Sequence, residues 1–344
     1  MRIHGGDIER IPEGIDFSSN LNPYAPPHRV TEIFQNPDPR WWTTHPQPYP
    51  QDLEKRLAER LHLDPQSLVL LPGSTYGIHA AFQVFNPQRA VIPHPTFNEY
   101  RRVAQALNIP VYSHRLKEEN SFRLCLGELA SVVEEEDLIF VCNPNNPTGY
   151  FFGTDEMEGL LRWCEVSRSS VVFDEAFIDF TPHAEATAEA AQKSKRCIVI
   201  RSLTKIFSIP GVRLGYAIAH PETAAKLRDL VPSWSINRLA CKVLEALIEA
   251  MDEIPKWRRR INEEKNILIR ELSSLGLKPF PSSANFLLVK AEGRSAEQIK
   301  SALMERGILI RTFPEYPDLS EFFRVSVRNR QENKKLIEAL REVL

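Results

Sequence analysis

The sequence lacks several features that would narrow its function at once. Its five cysteines, at 125, 142, 164, 197 and 241, include no C-x-x-C pair. Thiols scattered this way read as reduced residues in or near the core, not as a disulfide framework. Nine histidines are equally dispersed and no H-E-x-x-H spacing occurs, so no structural or catalytic metal is expected. Charge of one sign is also missing. Lys and Arg total 43 against 45 Asp and Glu, a net charge of -2. No basic stripe argues for nucleic acid, and no Lys/Arg block argues for a membrane surface. Long apolar runs are absent: stretches such as 67–71 are far too short to span a bilayer. The opening Met1-Arg-Ile-His-Gly-Gly-Asp7 has no apolar signal-peptide core, so the cytoplasm is the expected location. There is no internal repeat or low-complexity stretch.

What is present is enough material for a large core. A chain of 344 residues with 42% hydrophobic content reads as one big domain plus a smaller one. The first fifty residues are rich in proline and polar side chains and read as an irregular arm. Periodic sequence begins at Gln51, where Leu53, Leu57 and Leu61 mark one face of a helix. Apolar stretches at 67–71, 90–92, 137–142, 169–174 and 197–201 then alternate with helical ones such as 153–166. Each is apolar at consecutive positions, as expected for strands covered on both faces. After Pro232 the pattern gives helices at 237–249, 257–272, 295–306 and 332–344, with strands at 285–289, 308–310 and 322–327. The expected class is α/β. An arm at 1–45 joins the small domain, a large domain covers 46–232, and a small α+β domain covers 233–344.

Several expected strands end in chemically loaded residues, where open α/β sheets bind ligands. The strongest is Ser202-Leu-Thr-Lys-Ile-Phe-Ser-Ile-Pro-Gly-Val-Arg-Leu-Gly-Tyr216. A lysine amine forms a Schiff base with an aldehyde, while nearby hydroxyls and a guanidinium hold a phosphate dianion. Lys205, Ser202 and Arg213 supply these groups, and they point to pyridoxal phosphate. Thr204 is a weaker candidate, because neighbours point in different directions. Asp174 ends an apolar strand. A buried carboxylate wants a positive partner, and a protonated pyridine nitrogen is one; the alternative is a helix cap. Asn143-Pro-Asn-Asn-Pro-Thr-Gly149 forms a rigid turn from which Asn146 reaches the ring oxygen, with plain Asx turns as the alternative for Asn143 and Asn145. Ser74 and Thr75 sit at a strand-to-helix turn suited to an anion. Phe97 or Tyr100, on a loop after a strand, covers the ring face or packs on its own domain. Arg324 lies in a strand between apolar residues and wants an anion, with Arg311 and Arg328 as companions.

These motifs resemble the fold-type-I pyridoxal-phosphate enzymes of the class I/II aminotransferase group over essentially the whole chain. The resemblance implies a three-layer αβα large domain with a mostly parallel central sheet. Within that group, His4-Gly-Gly, Ile15-Asp-Phe-Ser-Ser-Asn-Leu-Asn-Pro23, Asp174-Glu-Ala-Phe-Ile-Asp-Phe180 and Gly307-Ile-Leu-Ile-Arg311 are similar to threonine-phosphate decarboxylases of cobalamin biosynthesis. Histidinol-phosphate aminotransferases are the next resemblance. The family pattern gives Lys205 the Schiff base, Asp174 the pyridine nitrogen and Asn146 the ring oxygen. Ser74, Thr75, Ser202 and Arg213 take the cofactor phosphate. Tyr49 reaches that phosphate across a homodimer interface, from an arm not expected to fold over its own sheet. Arg324 takes the carboxylate of a phosphorylated amino-acid substrate, Arg311 and His4 its phosphate, and the segment carrying Asn22 closes over it.

Three positions depart from the pattern. Phe177 replaces a tyrosine usual in the aminotransferases, Thr312 replaces a cysteine common in the decarboxylases, and the stretch around Trp41 and Trp42 is atypical for both. The same residues serve decarboxylation and transamination. The bond held perpendicular to the cofactor ring is the one that breaks, so the cofactor is better specified than the reaction.

Overall fold

The computed structural model describes Gly6 and residues 13–344. His4 lies outside the described residues. Seven strands form the central sheet: β1 (Leu68–Leu71), β2 (Arg89–His94), β3 (Val111–Arg115), β4 (Asp137–Cys142), β5 (Ser170–Asp174), β6 (Cys197–Ser202) and β7 (Gly215–Ala219). Their spatial order is β1-β7-β6-β5-β4-β2-β3. β2 pairs parallel with β3 and β4, and the parallel run continues through β5 to β6. Only β7 reverses, antiparallel to both β6 and β1.

All residues of β1, β4, β5, β6 and β7 are buried. The cause is visible in the packing. Alternate side chains of one strand enter different cores: Ile139, Val171 and Val199 on one face, Leu138, Val172 and Ile198 on the other. Helices Thr154–Ser167 and Ala184–Lys193 close the first face, while Ser74–Phe85, Glu99–Ala106 and Pro221–Leu230 close the second. Three layers leave no solvated strand face in the middle of the sheet, which is why these strands read as continuous apolar runs.

A second sheet is antiparallel, with β8 (Lys278–Pro279), β9 (Phe286–Lys290), β10 (Arg311–Thr312) and β11 (Phe322–Ser326) in the order β10-β11-β9-β8. Near the start of the chain, Ile15–Asp16 pairs parallel with Ile308–Leu309, and Ser326 donates its N–H to the Phe17 carbonyl at 2.9 Å. The segment around residue 16 is thereby tied to the second sheet. Among the described residues no helix is long and apolar enough to cross a membrane.

Several elements differ from the sequence expectation: the arm read as irregular contains the helices His28–Gln35 and Arg40–Thr43, and neither strand Gly215–Ala219 nor helix Pro221–Leu230 was expected. Glu99–Ala106 is a helix where a loop around Tyr100 was expected; Tyr100, Val103 and Ala104 form its buried stripe beneath a polar outer face. The strand Val111–Arg115 was not foreseen, because at the sheet edge only part of it is buried and its Tyr-Ser-His-Arg is polar.

Candidate active site

The C-terminal ends of β1, β4, β5 and β6, with β10 and β11 of the second sheet, converge on a cavity of about 530 Å³. Ser74, Thr75, Asn146, Asp174, Ser202, Lys205, Arg213, Arg311 and Arg324 all line it. These residues are spread over 250 positions of sequence, and the topology alone assembles them.

Lys205 stands on the short helix Leu203–Ile206, the first turn beyond β6. Burial pushes its amine down to about 8, and the positive charges of Arg324 and Arg213 push the same way. Asp16 and Asp174 oppose the shift. Asp174, the last residue of β5, is buried and its carboxyl is raised by that burial, offset by the Tyr100 hydroxyl, the Ala176 N–H and the charge of Lys205. Tyr100 donates to Asp174 Oδ2 at 2.7 Å, and Ala176 N–H donates to Oδ1 at 3.1 Å. Among the described residues an ionised Asp174 has no counter-charge within hydrogen-bond reach, so a cationic ring N–H in the cavity fits it.

The turn after β1 forms a cradle. Gly73 has φ +90°, and a Cβ on it would lie 2.8 Å from a guanidinium nitrogen of Arg213. A Cβ on Gly215 would lie 2.7 Å from the Arg201 carbonyl and 2.8 Å from the Ser74 nitrogen. These two glycines let the backbone and Arg213 close on one point. Ser74 opens the twelve-residue helix Ser74–Phe85, so unpaired N–H groups and the positive end of the helix dipole face that point.

Opposite stands Arg324 in β11. Its Nη1 donates to Asn146 Oδ1, its Nη2 donates to the Ser18 carbonyl at 2.6 Å, and its Nε has no hydrogen-bond partner among the described residues. Burial, reinforced by Arg311, lowers its pKa to about 9. A buried guanidinium with an unsatisfied N–H at a cavity wall is suited to an anion. The Asn146 loop is wired from behind. Asn143 exchanges hydrogen bonds with the Phe152 backbone at 3.0 and 2.9 Å. Asn145 donates to the Pro95 carbonyl at 3.0 Å and to Thr148 Oγ1 at 2.9 Å, and accepts from Thr96 Oγ1 at 2.7 Å. Asn146 alone of the three turns its amide into the cavity.

Comparison with known proteins agrees with this geometry. Residues 12–340 match the model of the aminotransferase class I and II family. The chain belongs to that family. It is 32% identical to the threonine-phosphate decarboxylase of Salmonella typhimurium, covering 99% of this chain and 96% of that one. It is 31% identical to the histidinol-phosphate aminotransferase of a Thermoanaerobacter species, covering 98% and 95%. The crystal structure of the histidinol-phosphate aminotransferase from Clostridium acetobutylicum superposes with a TM-score of 0.85 at 25% identity, over 95% of this chain and 98% of that one.

The cofactor of this aminotransferase-family chain is pyridoxal 5′-phosphate. The residues fit it: an anion cradle at 73–75 with Arg213, a buried carboxylate for a ring N–H, and a lysine whose amine is pushed towards neutrality. Phe97 lines the cavity, while Tyr100 does not. Tyr100 is fully buried behind Asp174, stacked on Phe140 with ring centroids 4.9 Å apart. Its hydroxyl is spent on Asp174 Oδ2.

Three further expectations are corrected. Asn22 is buried with its side chain committed: Nδ2 donates to the Ile206 carbonyl at 2.8 Å and Oδ1 accepts from Tyr24 N–H at 2.9 Å. With its own N–H on the Lys205 carbonyl at 3.1 Å, it braces the lysine turn and does not face substrate. Arg328 does not line the cavity; it pairs with Glu332 at 2.7 Å at the start of helix Arg330–Val343. Tyr49 folds over its own sheet. Its hydroxyl donates to Glu54 and accepts from Leu70 N–H at 2.9 Å, and the buried Glu54 supplies the partner that draws it in.

Sequence reasoning also passed over several residues here. Asp16 gathers Ser18 N–H at 2.7 Å and Ser18 Oγ at 2.6 Å, shaping the Ser18 carbonyl that Arg324 uses. The Asp16-Phe-Ser-Ser spacing is an Asx-type signal that was available. Glu315 and Asn98, which bond to each other at 2.7 Å on the cavity wall, carried no local signal.

Proposed function

We propose that this chain decarboxylates L-threonine O-phosphate, releasing carbon dioxide and 1-amino-2-propanol phosphate, a reaction that would serve cobalamin biosynthesis. The observation that carries the reading is the pairing of Arg311 with Arg324. They are register partners in β10 and β11, and both line the cavity. Directly opposed residues in an antiparallel pair lie about 5 Å apart at Cα and share a face. Two guanidinium groups side by side match a substrate with a carboxylate and a phosphate on adjacent carbons.

When bound, pyridoxal phosphate supplies the electron sink that lets a bond at the substrate α-carbon break. The chain supplies the placement. Ser74, Thr75, Ser202 and Arg213 hold the cofactor phosphate. Asp174, steadied by Tyr100, holds the ring N–H, and Asn146 presents its amide to the ring oxygen while its carbonyl oxygen is taken by Arg324. Arg324 orients the substrate carboxylate and Arg311 the substrate phosphate. With its pKa near 8, the Lys205 amine is partly neutral at physiological pH and moves a proton at the α-carbon side of the cavity. A displacement of about 1 Å in the carboxylate pose would be costly for such a positioning mechanism.

A second reading is transamination of histidinol phosphate. The Thermoanaerobacter relative and the Clostridium structure of that name favour it. The two are separated by products. With L-threonine O-phosphate and no 2-oxo acid, the proposal expects carbon dioxide. Glutamate formed only from histidinol phosphate plus 2-oxoglutarate supports the second reading instead.

The proposed partner is a second copy of the chain. Helix Arg40–Thr43 packs on helix Arg238–Ala250, and Arg238 donates to the His45 carbonyl at 2.7 Å. Beside them Trp42 and Trp234 are 65% and 53% exposed, a large outlay of apolar surface for a monomer.

A further inference from the structure

The wall between the main cavity and a second, outer cleft of about 860 Å³ carries Glu315, which lines both. Its carboxylate is not a loose surface charge. Oε1 accepts from Arg311 Nη2 at 2.7 Å and from Asn98 Nδ2 at 2.7 Å. Oε2 is shut off from solvent and has no hydrogen-bond partner among the described residues. Asn98 is held in turn: the Tyr316 hydroxyl donates to Asn98 Oδ1 at 3.1 Å and to the Thr96 carbonyl at 3.2 Å. The loop after β2 and the segment after β10 are thus stitched together around Glu315. The carboxylate is fixed from two sides and cannot readily swing away when an anion reaches Arg311.

We infer that Glu315 is a specificity-determining residue that sets the charge state of the bound substrate: the Arg311 corner takes a phosphate monoester as its monoanion and discriminates against the dianion. The inference rests on the proposal that the substrate carries a phosphate ester at Arg311. Glu315 uses one of the five N–H groups of Arg311, so an anion can still take others. What changes is the charge balance. Arg311 and Glu315 together are neutral, and a second phosphate charge would lie within several ångströms of a fixed carboxylate in a partly buried site. At that distance the repulsion amounts to at least about tenfold in affinity.

Among the described residues, the other charged and titratable groups at this corner do not restore the balance. Arg102, on helix Glu99–Ala106, is paired with Glu99 at 2.6 Å. Arg324 is committed to Asn146, the Ser18 carbonyl and the proposed substrate carboxylate, with Asp16 nearby on its other side. Arg101 and Arg115 line only the outer cleft, where Arg115 pairs with Asp318 at 2.9 Å. Tyr316 stacks on His94, whose pKa burial pushes down, so neither adds positive charge near pH 7.

The test compares two dead-end ligands, 3-phosphooxybutanoate and 3-sulfooxybutanoate, by calorimetric titration of the holoenzyme between pH 6 and 8. Neither has an amine, so neither can react. The sulfate ester carries one distal charge throughout, whereas the phosphate ester becomes a dianion above about pH 6. Every other titration cancels in the ratio of their dissociation constants. The ratio of phosphate to sulfate Kd should rise at least about fivefold from pH 6 to pH 8 in the unaltered protein, and change less than about twofold in Glu315→Gln. A ratio that stays flat or falls in the unaltered protein overturns the inference with no variant needed, as does an equal rise in the variant. If both ligands bind and the ratio is flat, the phosphate-ester substrate survives and only the role of Glu315 fails. If neither binds at any pH, the substrate proposal fails and this inference falls with it.

Discussion

Lys205 shows how one position can be costly for the fold and useful to the site. In the folded chain its amine is charged below about pH 8, against 10.5 for the unperturbed group. Between those values the unfolded chain binds more protons, so stability rises with pH across the window and the burial cost is full below it. The difference corresponds to about 3 kcal/mol at pH 7. Lys205→Met in the cofactor-free protein should therefore raise the urea unfolding free energy at pH 7 by up to ~3 kcal/mol and have little effect near pH 10.5. Unchanged or lower stability at pH 7 would contradict it. In the cofactor-loaded protein, borohydride reduction followed by peptide mapping should place the adduct on Lys205, and an adduct on another lysine refutes the assignment. Tyr100 acts one shell further out. Tyr100→Phe removes the hydroxyl from Asp174 Oδ2 and makes its ionised form more costly, so the cofactor should dissociate about tenfold more readily. Fluorescence titration of the cofactor-free variant checks this, and an unaltered affinity argues against a role for Tyr100 in holding Asp174.

At the scale of elements, the site depends on how closely strand ends approach. Gly215 opens β7 against the Ser74 turn, with a hypothetical Cβ 2.8 Å from the Ser74 nitrogen and 2.7 Å from the Arg201 carbonyl. Both contacts are backbone, so neither yields easily. Gly215→Ala should push the anion cradle apart and weaken cofactor retention by at least about tenfold while the fold persists, read by cofactor loss on dialysis beside an unchanged far-ultraviolet spectrum. Full retention would show that the cradle is looser than the geometry requires. Most core strands were legible in the sequence because burial on both faces leaves a continuous apolar run, as in 137–142, whereas the buried Gly215–Ala219 was missed because small residues, Gly215, Ala217 and Ala219, dilute its apolar signal. The edge strand Val111–Arg115 and the helix Glu99–Ala106 were not legible either, since partial exposure lets polar residues dominate them. The site divides the same way. Lys205, Asp174 and Arg213 stand in motifs whose chemistry is local. Asn22 and Arg328 also looked like ligand residues, but their side chains are taken by Ile206, Tyr24 and Glu332, partners that only tertiary structure reveals. Glu315 acts through Arg311 and Asn98, and the contact with Asn98 spans more than two hundred residues.

At the scale of the whole molecule, two sheets meet at one cavity and each contributes what the other lacks. The central sheet brings Lys205, Asp174 and the 73–75 cradle, while the second brings the paired Arg311 and Arg324, to which the proposal gives the substrate. The surface beside the arm bears on assembly. If Trp42 and Trp234 form the seat of a second copy, Trp234→Asp should shift the chain towards monomer in sedimentation velocity, and a distribution identical to that of the unaltered protein would remove that surface from the interface. The central claim is that the adjacent Arg311 and Arg324 hold a phosphate and a carboxylate together, so that the carboxylate is the group lost. Carboxyl-labelled L-threonine O-phosphate, incubated with the holoenzyme in the absence of any 2-oxo acid, tests it most directly. The account predicts labelled carbon dioxide released in equal amount to 1-amino-2-propanol phosphate over many turnovers. Label that stays with the substrate, while histidinol phosphate is converted when 2-oxoglutarate is added, would contradict it.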